Sequence, residues 1–145
     1  MNDRIRKITA EMSKTDGATR DSLDKLIAHF SVELPPEYVE FMTETNGSDG
    51  PIGTSEYLQI WSSEEVIQLN DDEDMKEEHP EWLFFGGMGG GARYAFDTRY
   101  QPMPVIEVDM SDPDFNYVRG ASFEEFLENL YTQEESSSNT DQGTT

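Results

Sequence analysis

An α+β fold is predicted for this chain: a central sheet, mainly antiparallel or mixed, with helices packed on one face and a C-terminal helix. Three observations predict it. Residues 82–97 set two aromatic-rich runs around five glycines in the six positions 86–91, which reads as a β-hairpin at the sheet centre. The other strand-like segments, 57–61 and 105–109, lie near it in the middle of the chain. Apolar residues at helical spacing occupy both ends, so helices would flank a clustered sheet.

The elements follow in order. Ile5, Ile8 and Met12 permit a short helix, but Lys14-Thr15-Asp16-Gly17 breaks it, so residues 1–19 read as a polar arm prone to fray. Leu23, Leu26, Ile27 and Phe30 form one stripe of a helix over 20–31, with Thr19 or Asp21 able to cap its start. Leu34-Pro35-Pro36 stops that helix and starts another, carrying Tyr38, Phe41 and Met42. Asn46-Gly47 accepts left-handed geometry and ends it, and 47–51 reads as a loop. Tyr57–Trp61 is a strand. Ser62 and Glu65 have capping-box spacing for a short helix over 63–70 bearing Val66, Ile67 and Leu69.

The densest acidic run comes next: Asp71, Asp72, Glu73, Asp74, Glu77, Glu78 and Glu81 against Lys76 alone, a pattern expected of a solvated loop. After the glycine hairpin and a turn over 97–102, Val105–Asp109 alternates as a strand, and Tyr117-Val118 suits a short edge strand. Ser122 and Glu125 repeat the capping-box spacing ahead of Phe123, Phe126, Leu127, Leu130 and Tyr131, a clear last helix. The organisation is thus an arm over 1–19, one domain over 20–131, and a polar tail over 132–145 whose composition predicts disorder.

Charge narrows the partners. The chain has 145 residues and a net charge of −21. Residues 1–20 hold five bases and three acids, while the remaining 125 hold five bases and 28 acids. Such a body repels nucleic acid and anionic membrane, and attracts a basic surface over about a Debye length, ~8–10 Å. No cysteine is present, which excludes disulfides and thiolate chemistry and fits a reducing, cytoplasmic setting. The first residues are charged without an apolar run behind them, so no signal peptide is expected, and no stretch is long and apolar enough to span a membrane.

Catalytic and cofactor motifs fail on context. Gly87-Met88-Gly89-Gly90-Gly91-Ala92 fits the dinucleotide glycine pattern, but 93–97 alternates as a strand where a helix would have to begin. Asp112, Asp114 and Asn116 match three calcium-loop positions, but Tyr117 replaces the glycine and Phe123 the bidentate acid, so an Asp/Asn turn is expected. With two histidines, no cysteine and no nucleophile signature, the reading is of a chain with no catalytic residues, no metal site and no cofactor.

Leu34-Pro35-Pro36-Glu37-Tyr38-Val39-Glu40-Phe41-Met42, closing on Thr45-Asn46-Gly47, resembles the L-P-x-x-Y-x-x-F helix and Asn-Gly stop of the SUKH superfamily, the Smi/Knr cell-wall regulators and their bacterial relatives. Tyr57–Ser62, Gly89–Gly91 through Tyr94-Ala95-Phe96-Asp97, and Ser122–Leu127 resemble its following strand, glycine turn and closing helix, in the same order over about 20–131. The resemblance implies a non-enzymatic α+β domain. Bacterial members are typically immunity proteins that neutralise a cognate toxin, often a nuclease, and fungal members are scaffolds in cell-wall signalling. Charge and resemblance together point to an immunity protein that binds a basic toxin domain. The expected contacts are Asp71, Asp72, Glu73, Asp74, Glu77 and Glu78, with Tyr57 and Trp82 as aromatic anchors. The alternative is a regulatory or scaffold module.

Overall fold

A computed structural model describes residues 1–54, 56–71 and 73–132, apart from the side chains of Glu73 and Asp74. The tail expected to be disordered lies outside the described residues from 133 onward. The elements are α1 (Asp3–Ile8), α2 (Arg20–Phe30), α3 (Pro36–Glu44), β1 (Ser48–Ile52), β2 (Glu56–Ile60), α4 (Ser63–Leu69), α5 (Glu73–Glu78), β3 (Trp82–Gly87), β4 (Ala92–Asp97), β5 (Val105–Asp109), β6 (Asn116–Gly120) and α6 (Phe123–Tyr131). The strands form one sheet in chain order, β1 to β6, and every neighbouring pair is antiparallel. The architecture is α+β, and the sheet is antiparallel throughout.

The glycine hairpin is β3–β4 and lies at the middle of the sheet. Its register shifts between Phe84 and Gly86, so the bulge turns Phe85 onto the same face as Phe96, on which it stacks at 4.3 Å. Gly86 is required by contact: a Cβ there would meet the Gln59 carbonyl oxygen at 2.1 Å. Tyr38 of α3 and Phe123 and Phe126 of α6 close over Phe85, Phe96 and Tyr94 with mostly edge-to-face geometry. These rings are fully buried, and burying each is worth about 1.5–3 kcal/mol.

Helix starts follow the sequence. Thr19, Ser62 and Ser122 each accept a backbone N–H in the first turn of α2, α4 and α6. The reciprocal carboxylate bond is complete at Ser62, whereas Glu125 reaches one residue further back, to the Ala121 N–H at 2.8 Å.

Three expectations are corrected. The arm does not fray: Ile5, Ile8 and Met12 are buried in the core, and Arg4 grips Glu128 of α6 through two hydrogen bonds at 2.5 and 2.6 Å. The segment after Gly47 is β1 rather than a loop, because Tyr57–Ile60 offers it a pairing edge and Ser13 bonds its other side. The acidic run is not all loop: Glu73–Glu78 is helical. Glu, Met and Lys are good helix formers, and Met75 packs against the core, so the run coils on one apolar foot.

Candidate interaction surface

The acidic surface begins at the end of α4. Its complete capping box fixes the start, and Asn70 ends it. Asp71 follows and is engaged locally: Lys76 donates to its Oδ1 at 3.1 Å, and His29 Nε2 lies 3.5 Å away. The hydrogen bond from Lys76 leads in holding the Asp71 carboxyl below its ordinary range. The single base of the run therefore neutralises one of its acids. Glu77 and Glu78 are exposed and, among the described residues, make no ion pair. Of the three acids of the predicted set whose side chains are described, these two are without an ion pair. Asp72 and the side chains of Glu73 and Asp74 lie outside the described residues.

The two aromatic anchors do not share a patch. Trp82 pairs with Asp97 at one end of β3, where its ring stacks on His79 at 3.9 Å and meets Phe84 edge-on. It stands beside the acidic helix. Tyr57 lies toward the other end of β3, 4.0 Å from where a Cβ on Gly89 would be, and its hydroxyl donates to Asp49 Oδ2 at 3.0 Å. A six-residue strand separates these ends by about 17 Å. The eight residues thus divide into an acidic helix with Trp82 and a separate tyrosine.

Through Asp49, to which its hydroxyl donates, Tyr57 is tied to one wall of a cleft of about 330 Å³ that the sequence did not reveal. Trp61, Gln59, Asp49, Glu65, Asn46 and Ser13 are among its walls. Asn46 ties the walls together, accepting from the Ser63 N–H at 2.8 Å and donating to Glu64 at 3.1 Å. Backbone hydrogen bonding at its own amide, then the Asn46 donor, hold Glu64 below its ordinary range. The Arg93 guanidinium covers the Trp61 ring at 5.2 Å. Asn-Gly was legible as a helix stop and Ser62 as a cap, but only tertiary packing brings Asn46 against Ser63 and Glu64.

Neither described histidine borders this cleft, so its hydroxyls have no imidazole base. Among the described residues no three His, Asp or Glu groups converge as a metal site. Among the same residues no helix is long and apolar enough to cross a membrane.

An antiparallel sheet with helices before, within and after it defines a small α+β domain with an acidic surface. The SMI1 / KNR4 family (SUKH-1) profile matches residues 17–129, and the chain belongs to that family. A search against curated proteins found no match. The matched span begins after α1, so the helix that docks on α6 lies outside it.

Proposed function

We propose that this chain is a non-enzymatic immunity protein of the cytoplasm that neutralises a cognate bacterial toxin through its acidic surface. The observation that carries the reading is α5, which carries Glu77 and Glu78 exposed and, among the described residues, without an ion pair, close to a Trp82 held by His79. A nucleic-acid-cleaving toxin presents a basic groove for phosphates, and exposed carboxylates are complementary to it. Long-range attraction then speeds encounter, and charge register selects the partner. Membership of the SUKH-1 family supports a protein partner. Asp71 contributes less than its neighbours, because Lys76 already occupies it.

The test is binding to a basic toxin domain encoded next to this protein's gene, measured at rising salt. Changing Asp71, Asp72, Asp74 to Asn and Glu73, Glu77, Glu78 to Gln is expected to slow association and flatten the salt dependence. Unchanged affinity and salt slope in that variant overturn the acidic-helix interface. Turnover of a substrate by the purified protein overturns the binding-only view.

A further inference from the structure

We infer that the free edge of β6 is a docking strand for an extended segment of a basic partner protein. This surface is separate from the acidic helix and stands whether or not the immunity reading does. Asp109 N–H donates to the Phe115 carbonyl, and Glu107 stands opposite Tyr117 in the same register. In an antiparallel ladder bonded and non-bonded pairs alternate, so the N–H and C=O groups of Asn116 and Val118 point away from β5. Among the described residues no strand follows β6 in the sheet.

The other sheet edge is closed. Along β1, Ser13 donates its N–H to the Asp49 carbonyl and accepts from the Asp49 N–H through its hydroxyl, and Pro51 removes a further donor. On β6, among the described residues, comparable cover lies at its end, where Asn129 donates to the Arg119 carbonyl at 2.9 Å. Asn116 and Val118 are left uncovered among the described residues.

The side chains on this edge suit a partner rather than water. Phe115, Tyr117 and Val118 are 61%, 54% and 65% exposed, consecutive enough to flank an added strand on both faces. Main-chain hydrogen bonds would supply the attachment, and the exposed rings would cover alternate side chains of the incoming segment. Charge chooses the occupant. Asp112 and Asp114 are exposed in the turn just before β6, and each copy of the chain carries −21, so a second copy would be repelled. A strand carrying lysine or arginine is attracted. The chain's own tail after 132 has acids and no apolar residue, a poor match to the same edge.

The experiment uses the full chain and a short synthetic peptide alternating lysine and valine. Its controls are the same peptide N-methylated along one edge and an alternating glutamate–valine peptide. Amide hydrogen exchange with the lysine peptide is expected to slow at Asn116 and Val118. N-methylation, or Val118→Pro, which removes an outward N–H without touching the β5 ladder, is expected to weaken binding roughly tenfold or more. Asp112→Asn with Asp114→Asn tests the charge term and should weaken binding without changing which amides are protected. Protection elsewhere, or binding indifferent to both N-methylation and Val118→Pro, overturns the inference. Self-association of the free chain that Val118→Pro abolishes also overturns it, by assigning the edge to a second copy. In the toxin assay, loss of binding in the six-acid variant with retention in Val118→Pro leaves the immunity reading standing without this edge.

Discussion

The Asn70 side chain completes the backbone of Phe84 as a neighbouring strand would: its Nδ2 donates to the Phe84 carbonyl at 2.7 Å and its Oδ1 accepts the Phe84 N–H at 2.9 Å. The need arises because β2 pairs with β3 only at Gly86 and Gly87 and then turns away into α4. The unpaired stretch of β3 is buried, and a residue at the end of α4 fills the gap.

That relationship gives a mutational prediction. Asn70→Ala strands two buried main-chain groups, each costing about 1–3 kcal/mol, and is expected to destabilise the fold by about 2–4 kcal/mol. Urea unfolding should show a lower midpoint, and hydrogen exchange should accelerate first at Phe84. A loss of a few tenths of a kcal/mol would mean that another group had taken over both bonds.

The family-motif tyrosine predicts the opposite sign. Tyr38 is fully buried among Phe85, Phe96 and Phe123, and its hydroxyl has no hydrogen-bond partner among the described residues. Tyr38→Phe removes a desolvated polar atom and keeps the ring, so it should be neutral or stabilising by up to about 1 kcal/mol. Burial pushes the Tyr38 phenol above its ordinary value of 10.0. Its ionisation is therefore easier in the unfolded chain, and folding stability falls as pH rises past that value. The Tyr38→Phe variant should lose less stability than the parent between neutral and strongly alkaline pH, as followed by thermal melts.

Asp97 predicts a loss on the acid side. It is buried at the end of β4, and Arg99 grips it with a guanidinium bond to each oxygen at 3.0 and 2.8 Å and a backbone N–H at 3.1 Å. Those donors, the guanidinium foremost, hold the carboxyl below its ordinary 3.8. A lowered folded-state value stabilises above the unfolded value and is lost as pH falls through the folded one. Asp97→Asn should cost about 1–2 kcal/mol at neutral pH, a difference that shrinks below about pH 4. A difference that is constant with pH would assign the cost to packing instead of charge.

Legibility in the sequence varied with the kind of signal. The stripes of α2, α3 and α6 were readable because local periodicity records which face is buried, and β4 and β5 were readable as strands from their alternating sequence, although β4 is buried on both faces over Tyr94–Phe96. Strand β1 was not, because Asp49-Gly50-Pro51 is turn chemistry that becomes a strand only beside β2 and under Ser13. Helix α5 was hidden by its charge, which argues for solvent but not against a coil anchored by Met75. Of the candidate site, the exposed acids were legible as charges. Their spatial grouping was not: Trp82 stands beside them while Tyr57 lies toward the other end of β3, bonded to Asp49.

The sequence by itself determined the α+β class, the glycine hairpin, the family and the acidic character, since each is written in spacing or composition within a few residues. Tertiary structure alone decided that the arm packs onto α6, that Asn46 meets Ser63 beside a cleft, and that Ser13 caps one sheet edge while, among the described residues, no strand covers the other. These contacts join residues far apart in the chain. Which distant groups meet is set by how the whole core packs, and no local pattern encodes it.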